Sequence, residues 1–283
     1  MGNSKAELVE KYGPWAVIAG ASEGIGAAFA KQLAEAGVNL VLLSRSQQKL
    51  ERLESELRQT TTVDMRLVTA DLTAADVLDT LRAKTDDLEV GLLIYNAGAT
   101  HGLHLFHERP MEDALELVNL NCRTPVMLAH HFGKAMRERE RGGMLFLSSL
   151  SAFAGGSYVA TYAGTKAFDI IFPQSLWHEL APHNVHVMSL VAGATRTPAM
   201  MESGIDLDDE VIRQNYTIME PADVAREGLE ALGTCPVWIA GEDNRNNIEQ
   251  MAANLSREQT IEVMSMANAR LNDKPYIPVI DLQ

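Results

Sequence analysis

Tyr162 and Lys166, in the stretch TYAGTK, stand four residues apart. On a helix that spacing puts both side chains on one face, one turn apart. A free tyrosine titrates near ~10 and moves few protons at neutral pH. An ammonium one turn away stabilises the phenolate and makes the pair a usable acid–base. Upstream, Ser148, Ser149 and Ser151 cluster behind an apolar run. A hydroxyl at the carboxyl end of a strand can donate to a carbonyl, or it can simply close a turn. The third group is AGASEGIG, residues 19–26, where Gly20, Gly24 and Gly26 follow an apolar run and open a helical pattern. Glycine admits a tight turn and lets backbone N–H groups approach a pyrophosphate. The spacing is G-x3-G-x-G rather than G-x-G-x-x-G. Each feature alone also has a bland reading: a packing tyrosine, a turn leaving a strand, a strand-to-helix turn without a ligand.

Such groups need a frame that brings them together. Short runs rich in Val, Ile and Leu recur at Trp15–Ala19, Leu40–Leu43, Arg66–Thr69, Gly91–Tyr95, Met144–Leu147, Val185–Val191 and Val237–Ala240. Most are apolar on both faces, as strands of a parallel sheet covered on both sides must be. Helical patterns lie between them, over Gly26–Ala36, Gln47–Arg58, Met111–Arg139 and Thr161–Leu180, and from Pro221 onward. The alternation predicts an α/β fold, a Rossmann-like doubly wound parallel sheet of about seven strands. Residues 1–283 read as a single catalytic domain. Another helical pattern near 243–283 is followed by Pro275 and Pro278, which predict an extended tail.

Composition agrees with a globular chain. It has 283 residues, 46% hydrophobic and 22% charged, with no run near the ~20 apolar residues of a membrane span. Neither a signal peptide nor a myristoylation signal is read at MGNSKA. A net charge of −14 repels nucleic acid, and the basic stretch Lys134–Arg141 is broken by Glu138 and Glu140. It reads as a solvated helix face. Cys122 and Cys235 form no CxxC pair, so disulfide frameworks and thiolate zinc sites are not expected and a cytoplasmic setting is.

The glycine turn, YNAG at Tyr95–Gly98, an asparagine in NLN, the serines and YAGTK occur in that order. Over roughly residues 13–240 the chain resembles the short-chain dehydrogenase/reductase family. The opening YGPWAVIAGASEGIG and the later NLVLLSRSQQKLERL look most like the branch of 17β-hydroxysteroid dehydrogenases and long-chain 3-oxoacyl-CoA reductases. The resemblance implies that Tyr162 is the acid–base, and that Lys166 assists it and binds the nicotinamide ribose. Ser149, thirteen before the tyrosine, would be the catalytic serine. Asn121, favoured over Asn119 for its NCRTP context, would hold a proton-relay water. Cofactor contacts would fall on Gly20, Ser22, Glu23, Gly24, Ile25, Gly26, Ser44, Arg45, Asp71, Leu72, Asn96, Ala97, Gly98, Gly193, Thr195 and Thr197, besides Tyr162 and Lys166.

Three positions depart from the family pattern. Ala19 replaces a threonine, Tyr95 replaces the first asparagine of NNAG, and Ala192 replaces a proline, which should loosen the loop to Thr197. Ser44 and Arg45 end the second strand where an acidic residue would select NAD. NADP(H) is therefore expected over NAD(H), with Glu23 as a counter-indication. The spacing of His101, His104 and His107 invites a metal, but no cysteine accompanies them and pocket lining or surface is expected instead. His130 and His131 read as helix surface or an interface.

Residues 198–220 are expected to form a substrate lid, with Met200, Met201, Ile205, Leu207, Val211, Ile212, Tyr216 and Ile218 apolar and Arg213 its one cation. Tyr95, Leu103 and Phe153 would line the same pocket. The expected substrate is a ketone or secondary alcohol, steroid-like or aryl-alkyl. A 3-oxoacyl thioester, or an inactive dinucleotide-binding regulator, is the alternative. Expected partners are that small molecule and further copies of the chain, as a homodimer or homotetramer, with no nucleic acid, membrane or metal.

Overall fold

The computed structural model describes residues 3–99, 102–202, 205–271 and 273–280. Elements follow in chain order: α1 (Lys5–Tyr12), β1 (Trp15–Ala19), α2 (Gly24–Ala36), β2 (Asn39–Ser44), α3 (Gln47–Arg58), β3 (Met65–Thr69), α4 (Val77–Thr85) and β4 (Val90–Tyr95). Then come α5 (Met111–Val118), α6 (Thr124–Arg139), β5 (Gly142–Ser149), α7 (Ala160–Leu180) and β6 (Val185–Ala192). The chain continues through α8 (Pro198–Glu202), α9 (Glu210–Asn215), α10 (Pro221–Ala231), β7 (Val237–Ile239), α11 (Glu242–Asn254) and α12 (Arg257–Leu271). The seven strands form one parallel sheet in the order β3-β2-β1-β4-β5-β6-β7. This is the doubly wound Rossmann-like arrangement. Strand order reverses between β1 and β4, and the crevice there is where such sheets bind ligands.

Val, Ile and Leu fill the central strands because both faces are covered. Ile18, Leu40, Leu42 and Leu92 turn to one face and meet Phe29 and Leu33 of α2, Leu50 and Leu53 of α3, and Val224 of α10. Val17, Val41, Leu43 and Leu93 turn to the other and meet Leu81 of α4, Phe132 of α6 and Leu180 at the end of α7. The expected helix over 111–139 is present but interrupted. Asn119–Arg123 adopts a π-turn between α5 and α6, closed by the Thr124 N–H on the Asn119 carbonyl. Such bulges often mark functional positions.

The basic stretch is less solvated than its charge pattern suggested. Arg139 donates to the Val90 carbonyl, and Arg141 donates to the Glu10 carbonyl and pairs with Glu89. These guanidinium groups satisfy carbonyls of α1 and of the first residue of β4. The tail is extended near Pro275, yet Tyr276 and the Val279 N–H both donate to Glu262.

Candidate active site

β5 and α7 set the candidate catalytic groups at the carboxyl edge of the sheet. Strand alternation gives the adjacent serines different work. Ser148 is buried and donates to the Lys166 carbonyl at 2.7 Å. Ser149 is only half-buried and accepts from the Ser151 N–H. The Ser149 hydroxyl also donates to that of Ser151, at 3.4 Å, so the two half-buried hydroxyls form one pair at the strand end. Tyr162 is half-buried in the first turn of α7. Lys166, one turn on, is 4% exposed, and its ammonium donates to the Leu147 carbonyl at 2.8 Å and to Asp169 at 2.9 Å. Burial works against that charge, but Asp169 with Tyr162 and Cys122 outweighs it and holds the lysine above its ordinary range. Asp169 was not anticipated. Its place three residues after Lys166, on the same helix face, was the available signal.

The π-turn delivers Asn121 rather than Asn119. Asn121 is fully buried, and its amide donates to Thr165 at 2.9 Å; Thr165 in turn donates to the Tyr162 carbonyl. Its side-chain oxygen is buried without a partner in the protein, a vacant acceptor facing the turn after β4. Tyr95 has another role than the pocket lining expected of it. Its ring is in the core and its hydroxyl donates to the Leu120 carbonyl at 2.5 Å. At the end of a strand buried on both faces, residue 95 cannot reach a ligand. It braces the π-turn instead. Leu103 and Phe153 remain half-buried on their loops.

The cofactor-binding candidates converge across β1, β2 and β4. Gly20 has φ +80°, which a side chain would strain, and its N–H and that of Ala21 bond to Leu43. Asn96 donates to the Gly20 carbonyl at 2.8 Å, and its own side-chain oxygen is buried without a partner. These bonds secure the turn that Ala19, buried in β1, cannot brace with a hydroxyl. The N-terminus of α2, at Gly24, Ile25 and Gly26, has no side-chain cap from Glu23. Its open N–H groups suit an anion. Gly98 faces Lys166: a Cβ there would lie 3.2 Å from the ammonium.

Ser44 donates to Ser22 at 2.9 Å, tying β2 to the glycine turn, and Arg45 is exposed beside them. Glu23 is paired with Lys49 of α3 at 2.6 Å, a cation that sequence spacing did not connect to it. Asp71 accepts from the N–H and hydroxyl of Thr73, which with nearby Arg45 hold its carboxyl below the usual range against some burial. Leu72 is buried and its carbonyl accepts from Thr124. These residues fit a dinucleotide: vacant acceptors, an open helix terminus and cations near the second strand.

The loop after β6 is less loose than Ala192 implied. Thr195 bridges Met219, backbone bonds join Arg196 and Ala194 to Met219, and Thr195 donates to the Gly193 carbonyl. Thr197 lies against Gly24, where a Cβ would be 3.0 Å away. Just before the 198–220 segment, Arg196 pairs with Asp208 and Glu220 of that segment, and Tyr216 within it donates to the Ala267 carbonyl of α12. Leu207 is buried, Met201 is exposed, and Met200, Ile205, Ile212 and Ile218 are half-buried. Residues 203 and 204, the Val211 side chain and His101 lie outside the described residues. Among those described, no cluster of His, Cys, Asp and Glu could hold a metal ion. His107 is exposed against Phe106, His130 is exposed, and His131 is half-buried near Asp86. No described helix is long and apolar enough to cross a membrane.

A tyrosine and a buried ammonium one turn apart, a nearby strand-end hydroxyl and a buried amide can move a proton to or from an oxygen. The glycine turn beside them can hold a dinucleotide. Comparison with known proteins identifies the family. The family model for short chain dehydrogenases matches residues 14–208. The chain is 30% identical to a 7beta-hydroxysteroid dehydrogenase of Mediterraneibacter gnavus, over 91% of this chain and 97% of that one. A solved structure from work on 7beta-hydroxysteroid dehydrogenase stereoselectivity superposes with a TM-score of 0.84 at 28% identity, covering 93% of this chain and 99% of the other. A short-chain dehydrogenase from Sphingobium yanoikuyae, solved in complex with NADPH, gives 0.71 at 27% identity, with coverage of 86% and 96%.

Proposed function

The chain belongs to the short-chain dehydrogenase family, near its hydroxysteroid dehydrogenase branch, and from that premise we propose an NADP(H)-preferring oxidoreductase that interconverts a ketone and a secondary alcohol. The observation that carries the reading is Lys166: a lysine buried at the sheet's carboxyl edge, one turn from Tyr162 and against the turn at Gly98. Bound NADP(H) supplies or accepts the hydride. Tyr162 gives its phenolic proton to the carbonyl oxygen during reduction and takes one from the alcohol during oxidation. Ser149 donates a hydrogen bond to that oxygen and orients it. Lys166 favours the phenolate and holds the nicotinamide ribose. Asn121 places its vacant carbonyl oxygen where a relay water can bind.

NADP(H) is preferred because Arg45 stands at the end of β2 and Lys49 neutralises Glu23. A 2′-phosphate there meets cations rather than a carboxylate. The substrate is apolar and steroid-like or aryl-alkyl. Half-buried Met200, Ile205, Ile212 and Ile218 in the lid support this, as does the activity named for the Mediterraneibacter relative. Arg196 is engaged by Asp208 and Glu220, which leaves exposed Arg213 as the one lid cation to meet a strongly anionic substrate. Copies of the chain associate as a homodimer or homotetramer, a reading supported by the exposed Val126 of α6 and Ile171 of α7.

The test is turnover of steroid and aryl ketones with NADPH, followed spectroscopically. Tyr162→Phe must keep NADPH binding and lose all but about a tenth or less of the rate, against the ~10²–10⁴-fold of general acid–base catalysis. A 3-oxoacyl thioester preferred by a hundredfold would reassign the substrate.

A further inference from the structure

Lys166 is not alone in its pocket. Asp169 lies one turn further along α7, its side chain 1% exposed, with an oxygen 2.9 Å from the ammonium. Two hydroxyls from the sheet fix the backbone beneath this pair. Ser148 of β5 bonds the Lys166 carbonyl and Ser189 of β6 bonds the Asp169 carbonyl, each at 2.7 Å. The Asp169 carbonyl is available because Pro173, four residues on, has no N–H to give it. The other Asp169 oxygen is buried and makes no hydrogen bond within the protein.

We propose that Asp169 is a positioning residue for the proton-transfer pair, its carboxylate counter-charging the Lys166 ammonium and holding it between the Leu147 carbonyl and the Gly98 turn. This rests on the functional reading above, in which Tyr162 and Lys166 carry the chemistry. A purely structural ion pair belongs to stability. This one shares its ammonium with the reacting group, so it also governs how much positive charge Tyr162 experiences. With the carboxylate ionised, the pair is close to neutral. Without it, an uncompensated cation stands one turn from the phenol, and the phenolate forms at lower pH.

The groups that face Asp169 are few and identifiable. Tyr162 and Lys166 share its helix, Cys122 approaches from the π-turn and Tyr95 from β4. Burial, then Asp169, pushes the Cys122 thiol up to about 11, and the same causes raise Tyr95, so both stay neutral. Burial also pushes the Asp169 carboxyl up, to about 6, with Lys166 pulling it down. At neutral pH the carboxylate and the ammonium are both charged.

The experiment measures pH–rate profiles for oxidation of a steroid-class secondary alcohol with NADP+, in wild type, Asp169→Asn and Asp169→Glu. Asparagine keeps the shape and removes the charge. The rising limb of its profile should move to lower pH by about one unit, while glutamate, which restores charge, returns the limb toward wild type. An Asp169→Asn profile that superimposes on wild type, with only thermal stability or the overall rate lowered, overturns the proposal. If the asparagine variant does not fold, Asp169→Glu decides: the carboxylate is kept but displaced by a methylene. A limb left in place with kcat down at least threefold supports positioning, and an unchanged kcat overturns it. A wild type with no turnover of any ketone or alcohol overturns the functional reading and this proposal together. Turnover with an unmoved limb in Asp169→Asn overturns this proposal alone.

Discussion

The hydroxyl of Ser189 completes the hydrogen bonding that Pro173 denies to the carbonyl of Asp169. Ser189 is fully buried on β6, so water cannot take its place there. Ser189→Ala leaves a buried carbonyl without a donor and should cost ~1–3 kcal/mol of stability in urea unfolding. A replacement within experimental error of wild type would mean that the helix relaxes around the proline by itself.

Tyr95 makes a comparable link to the Leu120 carbonyl, next to Asn121. Tyr95→Phe removes one hydrogen bond, worth on the order of 1 kcal/mol, and frees the π-turn to shift. The expected result is a several-fold fall in kcat with little change in KM for NADPH, since the glycine turn is untouched. Steady-state kinetics check this. A fall confined to stability would assign Tyr95 to the core alone.

Cofactor choice should depend on two cations rather than one. Arg45→Ala is expected to weaken NADPH at least tenfold and NADH far less, because a guanidinium pairs well with phosphate. Lys49→Ala should weaken NADPH as well, by exposing the uncompensated Glu23 carboxylate to the phosphate. Fluorescence titration of both nucleotides gives the comparison. Equal losses for NADPH and NADH, or better wild-type turnover with NADH, would refute the preference.

His186 gives the fold a pH dependence away from the site. Its ring shares a 2.8 Å hydrogen bond with the buried Tyr12 hydroxyl, and burial, then Lys11, depresses its pKa below 6.5. The folded chain therefore binds that proton less readily than the unfolded one. The stabilising contribution is fully present above the unfolded value near 6.5 and is lost as pH falls through the lower folded value. Melting temperatures from pH 8 down to 5 should fall more steeply for wild type than for His186→Gln. Parallel curves would show that acid destabilisation arises elsewhere.

Most of the frame was legible because burial on both faces of a parallel sheet forces apolar strands. Trp15–Ala19 and Gln47–Arg58 have the bounds expected from their patterns. Helix α1 also had a signal, since Ser4 and Glu7 form a capping box that the pattern S-x-x-E announces. The π-turn had none, because NLNCR has no residue type that demands an extra residue in a helix. Tyr162 and Lys166 were legible because one helix carries both. Lys49 was not, because its partner Glu23 is brought to it by the fold across 26 residues. Tyr95 was misjudged for a related reason. The end of a strand faces a ligand on one register and the core on the next, and the sequence does not say where the strand stops.

Gly193 and Asn244 meet closely enough that a Cβ on residue 193 would lie 2.7 Å from the asparagine amide nitrogen. Asn244 belongs to α11, and α12 beyond it receives the Tyr216 hydroxyl bond and sends Arg257 to the Phe153 carbonyl. The last two helices are thus clasped to three loops around the site at once. Chimeras that graft this segment from one relative onto another would inherit a mismatched pocket wall unless position 193 and those loops travel with it. On the proposed function, the walls of the substrate pocket would come from pieces far apart in sequence, and directed evolution confined to residues 198–220 would sample only part of them.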